Sequence, residues 1–178
     1  MTSGTETMTL TGERADLLET LAKARHFLRC TTRDLDDEQA RQRTTVSELT
    51  IGGLIKHVTD VERNWTNFIE HGPSVAPDFT NLSEADYQAW SEGFRLLPGE
   101  TLAGALAAYE AVAGHTNDLV ATLRDLDASH PLPPAPWNEP GARWSARRTL
   151  LHIAAETAQH AGHADIIRES LDGAKTMG

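Results

Sequence analysis

The sequence predicts an all-α protein folded as a four-helix bundle, with one additional short helix and long loops. Apolar residues recur at intervals of three and four along almost the whole chain, which is the period of an amphipathic helix. Runs rich in β-branched residues are scarce, so we expect almost no strand. The chain has 178 residues, enough for one domain with a full core, and a bundle is the simplest way to bury four amphipathic stripes.

The first predicted helix runs from about Glu13 to about Leu35, and Thr11 is placed to cap it. Its leucines and alanines recur at intervals of three and four residues, as expected for a helix with one buried face. Residues 36–50 are polar, which predicts a connection containing a short turn of helix.

Thr50 is placed to cap the second long helix, and Gly72 followed by Pro73 ends it. A loop follows. Ser83 and Asp86 then stand at the spacing of a capping box, which predicts the start of the additional short helix, expected over residues 83–97.

Thr101 is placed to open the third long helix, which we expect to continue to Asp127. Residues 128–144 contain five prolines and predict a long surface loop. Ser145 is placed to cap the last helix, which ends at Gly173.

These boundaries predict one helical domain over residues 12–173. Residues 1–11 and 174–178 are expected to be flexible ends. The N-terminus lacks a basic start followed by an apolar run, so it does not read as a signal peptide, and no stretch is apolar enough to span a bilayer. We therefore expect a cytoplasmic protein.

The formal net charge is −10, from 26 acidic and 16 basic residues. Such a surface repels phosphate backbones, so nucleic acid is not an expected partner. Arg143, Arg147 and Arg148 form one short basic cluster, which is too small for a duplex but could meet one small anion. Cys30 is the single cysteine, which excludes an internal disulfide, and its apolar surroundings favour a small core residue.

Four polar residues on the last helix are candidate metal ligands. His152, Glu156, His160 and His163 are spaced by 4, 4 and 3, which places them on one helix face beside alanines and isoleucines. A Glu and a His four residues apart can bind one metal ion. The alternative is a solvated polar face with scattered histidines.

His57 could supply a third ligand from another helix. It lies on the apolar side of the second helix, between Leu54 and Val61, where a hydrogen-bonded core histidine is the alternative interpretation. Facing helices of a bundle can bring such groups together, and three protein ligands with a free position are typical of a catalytic divalent site. The remaining histidines are expected to be surface or local structure: His26, His71, His115 and His130.

The segments "LTIGGLIKHVTDVE" and "LLHIAAETAQHAGHADIIRESLDG" resemble the two hallmark segments of the DinB-like superfamily. The resemblance extends from about Thr11 to Gly173, and the pattern is similar to the actinobacterial branch close to the mycothiol-dependent maleylpyruvate isomerase. It implies a four-helix bundle with a divalent metal, zinc or nickel, held by His57, Glu156 and His160. His163 matches a position that many relatives do not use as a ligand, so it is expected to support the site or to serve as an alternative ligand.

The resemblance also implies a thiol S-transferase or an isomerase that uses mycothiol or a similar small thiol together with an electrophilic substrate. A metal ion lowers the pKa of a thiol, and the thiolate is the nucleophile, so Cys30 need not take part. Arg147 and Arg148, with Arg143, could meet the cofactor at the mouth of the site. Trp65, Trp90 and Trp144 either line a pocket or belong to the core. The remaining apolar helix faces would permit a homodimer.

Two other functions stay open at this point. The first is a metal-dependent hydrolase that activates water, with Glu156 or a nearby carboxylate as the base. Glu156 is itself an expected ligand, so Asp60 and Glu62 are the spare carboxylates if they do not simply face solvent. The second is a non-catalytic stress-response protein that binds a metal. Resemblance in fold alone does not decide between them.

Overall fold

The computed structural model describes residues 11–73 and 83–176. Within these ranges the elements follow in this order: α1 (Glu13–Cys30), α2 (Asp37–Arg41), α3 (Ile51–His71), α4 (Glu84–Glu92), α5 (Leu102–Thr122), β1 (Ser129–Pro131), β2 (Arg143–Ser145) and α6 (Ala146–Asp172). The all-α class predicted from the sequence is confirmed.

The four long helices form the bundle. Helix α6 packs against α1 and α3, and α5 packs against α3 and α1. Two clusters of buried apolar side chains hold them together, and each cluster takes residues from all four helices. Leu28, Leu54 and Tyr109 belong to the first cluster, and Leu21 and Val120 belong to the second.

A polar network lies between the two apolar clusters along α1, α3 and α5. Arg25 forms an ion pair with Glu62, whose side chain is fully buried, and donates a second hydrogen bond to Asn117 Oδ1 at 2.8 Å. The Thr116 hydroxyl donates to Glu62 Oε1 at 2.5 Å. Glu62 therefore does not face solvent, because Arg25 and Thr116 satisfy its carboxylate inside the bundle. It is not a spare base beside the candidate site.

The predicted caps agree with the structure. Thr50, Ser83, Thr101 and Ser145 each accept a backbone N–H at the start of their helix, and Ser83 forms the capping box with Asp86. Helix α6 ends at Gly173, which has a left-handed conformation. At the start of α1 the prediction was wrong: the N-cap is Gly12 rather than Thr11, and it makes no side-chain cap.

Two helices end earlier than predicted, and distant arginines bind carbonyl groups at or just after these ends. Arg14 donates to the carbonyls of Val120 and Leu123, where α5 stops short of Asp127. Arg168 donates to the carbonyls of Thr31 and Arg33, just after α1 has ended at Cys30 rather than Leu35. The end of α1 also has local contacts, because the Thr31 hydroxyl donates to the Leu28 carbonyl and Asp34 has a positive φ of 59°.

The proline-rich segment departs from the expectation of a loop with almost no strand. Its two ends pair as the antiparallel strands β1 and β2, with His130 opposite Trp144. The pairing brings Ser145, which caps α6, opposite Ser129. The predicted loop after Pro73 falls on residues 74–82 and lies outside the described residues.

The connection between α4 and α5, residues 93–101, is docked on the first two turns of α3. A Cβ on Gly53 would overlap the Phe94 carbonyl group, and a Cβ on Gly52 would overlap the Leu96 side chain. One turn later, Lys56 Nζ lies 2.8 Å from the Glu100 carboxylate. We call residues 93–101 the docked segment. Its close approach explains why α4 ends at Glu92, well before the predicted end of this helix near residue 97.

Among the helices of the described residues, none is both long and apolar enough to cross a membrane.

Gly53→Ala should lower the free energy of unfolding by about 1–3 kcal/mol, because the new methyl group meets backbone atoms that cannot move independently. Gly114→Ala is the matched control: a Cβ there meets nothing within 4 Å in the middle of α5, so this change should raise stability by about 0.5–1 kcal/mol. Urea denaturation followed by circular dichroism measures both. Equal effects of the two substitutions would contradict the close docking.

Arg25→Met should lower the free energy of unfolding by about 3–5 kcal/mol, because it leaves the Glu62 carboxylate buried without a counter-charge. Adding Glu62→Leu to this variant should recover most of the loss, since the unpaired charge is then absent. The same denaturation measurement applies. A double variant as unstable as the single one would show that packing, rather than the unpaired charge, causes the loss.

Candidate metal centre

Three side chains predicted as ligands lie together between two bundle helices. His57 comes from α3, and Glu156 and His160 come from α6. One ligand atom from each residue lies within 4.8 Å of the other two. His160 Nε2 is 3.6 Å from Glu156 Oε2, and the His57 and His160 rings meet edge-on with centroids 4.8 Å apart. One cation placed among these groups could contact all three.

The docked segment helps to orient His57. The imidazole stacks on the Phe94 ring with centroids 4.0 Å apart and an interplanar angle of 22°. Within the described residues, no side chain or backbone group hydrogen-bonds to the ring nitrogens of His57. A half-buried imidazole with unused nitrogens and a stacked neighbour is suited to coordinate a cation.

Burial keeps the histidines of this site uncharged. Removal from water, together with nearby His160, lowers the pKa of His57 to about 4. Burial also lowers the pKa of His160, whose side chain is only 12% exposed, and neighbouring His163 lowers it further. A metal binds the neutral imidazole, so these shifts preserve the ligating form at neutral pH.

His163 lies behind His160 rather than in the group of three. Its Nδ1 is 3.4 Å from His160 Nδ1, whereas His160 Nε2 faces Glu156. The two nitrogens of His160 thus have different neighbours. Such a contact can fix the orientation of a ligating histidine, which is the supporting role predicted for His163.

His152 is the fourth member of the predicted polar face. Its ring meets Trp65 and Trp144 edge-on, with centroids 5.0 and 4.9 Å apart. Its Nε2 is 3.9 Å from Glu156 Oε1, and burial lowers its pKa. His152 therefore connects the group of three to an aromatic wall.

A cavity of about 690 Å³ opens beside the group of three. His57 and Glu156 line it, together with six aromatic side chains: Trp65, Phe68, Trp90, Phe94, Trp137 and Trp144. These include all four tryptophans of the chain. Trp65, Trp90 and Trp144, for which the sequence left pocket and core open, all line the cavity, and Trp65 also packs against the second apolar cluster. Trp137 was missed, although an isolated tryptophan within a proline-rich polar stretch could have signalled it.

Asp60, one of the two spare carboxylates, lines the cavity and forms an ion pair with Arg63. Arg147 forms ion pairs with Glu13 and Asp127. The guanidinium of Arg148 lies 4.2 Å from the centroid of the Trp144 ring. Neither arginine is among the described residues that line the cavity, but Arg148 contacts one that is.

The remaining candidates lie elsewhere. Cys30 is partly exposed rather than a buried core residue, because Sγ points to His26 Nε2, 3.4 Å away on the same side of α1. Of the other histidines, His71 contacts the Asn67 carbonyl within its own helix, and exposed His115 contacts Glu70 of α3. His130 is partly buried and contacts the Ile69 carbonyl, which is 61 residues away, so it is neither surface nor local structure.

The metal-free protein should lose stability as the pH falls from about 6.5 to about 4. In this window the unfolded chain protonates His57, whose ordinary pKa is 6.5, whereas the folded chain does not until its lowered pKa near 4 is reached. Urea denaturation after chelator treatment, repeated across this range, measures the slope. His57→Gln should flatten it, and the exposed control His71→Gln should not. An unchanged slope in His57→Gln would contradict the lowered pKa.

Comparison with known proteins agrees with this architecture. The model of the mycothiol-S-transferase family matches residues 16–173. A solved structure described as a conserved protein from Enterococcus faecalis is similar in fold, with a TM-score of 0.63 and 11% identity, over 93% of this chain and 100% of that one. No curated protein sequence matches the chain. The superfamily predicted from the two segments is thereby confirmed, and the chain belongs to the mycothiol-S-transferase family, a DinB-like family.

Proposed function

We propose that this protein is a metal-dependent S-transferase that joins the sulfur of mycothiol to an electrophilic carbon. The observation that carries the proposal is the convergence of His57, Glu156 and His160 within 4.8 Å, at a cavity that two of them line. Membership of the mycothiol-S-transferase family supports a small-molecule thiol as one substrate.

The three side chains suit a divalent cation. Two neutral imidazoles and one carboxylate are a donor set that zinc and nickel accept, and three protein ligands leave room for another group. A cation held there would supply the positive charge that lowers the pKa of a thiol bound beside it. The identity of the metal is part of the proposal and needs measurement.

Side chains around the proposed metal orient one of its ligands, keep two of them neutral and limit water. Phe94 orients His57, and burial keeps His57 and His160 neutral. The aromatic walls limit water around the reacting atoms. The sulfur attacks the electrophilic carbon, a C–S bond forms, and the leaving group departs with the bonding electron pair. The thiol proton passes to solvent.

Arg148 is the best placed of the three arginines proposed to contact the thiol cofactor, since Arg143 donates to the Ser129 carbonyl and does not line the cavity. Arg148 lies over Trp144, which lines the cavity, whereas Glu13 and Asp127 already neutralise Arg147. Arg148 could therefore meet a polar part of mycothiol at the edge of the site, and a contact through Arg147 would require breaking two ion pairs.

The hydrolase alternative is less well supported. It needs a carboxylate near the metal that is free to accept a proton from water. Glu62 is held inside the bundle by Arg25 and Thr116, and Asp60 is paired with Arg63. Thiol transfer makes no such demand, because a thiolate is already a strong nucleophile.

His57→Ala, Glu156→Gln and His160→Ala should each abolish stoichiometric metal binding and thiol transfer. His163→Ala should weaken metal binding by only about 10–100-fold, as expected for the loss of a group that orients a ligand. His115→Ala is the control, because His115 is an exposed histidine that contacts Glu70 outside the site. Elemental analysis and mycothiol conjugation to monochlorobimane are the two measurements.

Three results would contradict these assignments. Stoichiometric metal in His57→Ala would refute a site shared between α3 and α6. Complete loss of metal in His163→Ala would make His163 a direct ligand. Cleavage of esters or amides by the metal-loaded protein, without activity toward any thiol, would favour the hydrolase.

A further inference from the structure

We propose that the cavity beside the metal centre binds an uncharged, planar aromatic group of the electrophilic substrate. This inference rests on the proposed S-transferase function and names the substrate class. Four observations carry it: the aromatic lining, the exposed tryptophans, the charges of the lining residues and the cavity volume.

Flat rings line the cavity in two groups. Trp65 of α3 and Trp144 of β2 stack with centroids 4.8 Å apart and an interplanar angle of 22°. Trp90 of α4 meets Phe94 of the docked segment edge-on at 5.0 Å. Aromatic rings prefer stacked or edge-to-face neighbours, and each such pair adds stabilisation beyond its buried area. A planar aromatic ligand can form these contacts, whereas an aliphatic one of equal size cannot.

Two of the tryptophans keep most of their surface in water. Trp90 is 61% exposed and Trp137 is 70% exposed, although both line the cavity. Helix α4, which carries Trp90, has no buried residue at all. Large apolar side chains at the edge of a cavity are unfavourable in water, and a ligand that covers them recovers hydrophobic free energy. We therefore assign Trp90 and Trp137 to ligand contact at the edge of the cavity.

The charges of the cavity disfavour an anionic substrate. Among the described residues that line it, Asp60 and Glu156 are acidic and none is lysine or arginine. The Asp60 charge is balanced by Arg63, and the Glu156 charge is directed to the metal centre. A carboxylate on the ligand would lose its hydration without gaining a cationic side chain inside the cavity. An uncharged ring avoids this cost.

The volume is adequate for such a ligand. At about 690 Å³, the cavity falls within the range of about 300–1,000 Å³ that is typical of small-molecule sites. His57 and Glu156 stand in its wall, so a ring held by the tryptophans would present an attached electrophilic carbon near the metal centre.

The test compares three iodoacetamides with the same reactive carbon: the N-phenyl, N-cyclohexyl and N-(4-carboxyphenyl) compounds. In each, sulfur forms a bond to the CH₂ carbon, iodide leaves with the bonding pair, and the thiol proton passes to solvent. With metal-loaded protein and mycothiol, kcat/KM divided by the uncatalysed rate should be about 3–10-fold higher for phenyl than for cyclohexyl. The carboxyphenyl compound should be the poorest of the three.

Trp90→Ala should remove most of the preference for phenyl over cyclohexyl while leaving the metal content unchanged. Tyr87→Ala is the matched control: Tyr87 is a 57% exposed aromatic residue on the same helix that does not line the cavity. This variant should keep the full preference. Equal kcat/KM for phenyl and cyclohexyl, or equal effects of the two variants, would overturn the inference.

A binding measurement separates this inference from the proposed function. Because all four tryptophans line the cavity, their fluorescence should respond to acetanilide, the unreactive analogue of the phenyl compound, and respond less to N-cyclohexylacetamide. Thiol transfer without any aryl preference would overturn the inference and leave the S-transferase intact. Selective binding of acetanilide without thiol transfer would overturn the S-transferase and support the aromatic site.

Discussion

The docking of residues 93–101 on the first two turns of α3 is the constraint on which the candidate site depends. Gly52 and Gly53 leave the space that the segment occupies, and Lys56 pairs with Glu100 to hold it there. The next residue of α3 is His57, which receives the Phe94 ring from the same segment. One close approach therefore orients His57, places Phe94 in the cavity wall and leads into the start of α5. Without it, the His57 imidazole would lose its stacking contact beside Glu156 and His160.

The polar layer inside the bundle has a different role. Arg25 and Glu62 tie α1 to α3, and Thr116 and Asn117 add α5, between two apolar clusters that would otherwise tolerate sliding. Such a layer favours one relative arrangement of the helices, because any shift leaves a charge buried without its partner. The arrangement of α1, α3 and α5 is thereby fixed, and α6 packs on α3 in the register that brings Glu156 and His160 to His57.

The features of the fold and of the candidate site that depend on neighbouring residues could be predicted from the sequence. The caps at Thr50 and Ser145 and the inward face of α6 follow from residue types at fixed spacings, so the sequence alone predicts them. Arg168 and Arg14, which bind carbonyl groups at the early ends of α1 and α5, are distant in sequence from those ends. The burial of Glu62 depends on distant Arg25, and the cavity lining includes Trp144 and Phe94, which β2 and the docked segment bring beside α3. The spacing of residues along the chain does not reveal such contacts between segments that are distant in sequence.

Helix α4 contributes almost nothing to the core, yet it supplies part of the cavity wall. Trp137 lies in the long connection between β1 and β2, which is likewise outside the bundle core. The four long helices thus carry the stability of the fold, whereas these two attachments supply only cavity wall beside Trp65 and Phe68 of α3. Mutation in the attachments incurs little thermodynamic penalty, so the proposed substrate preference can change by drift and selection while the group of three stays intact.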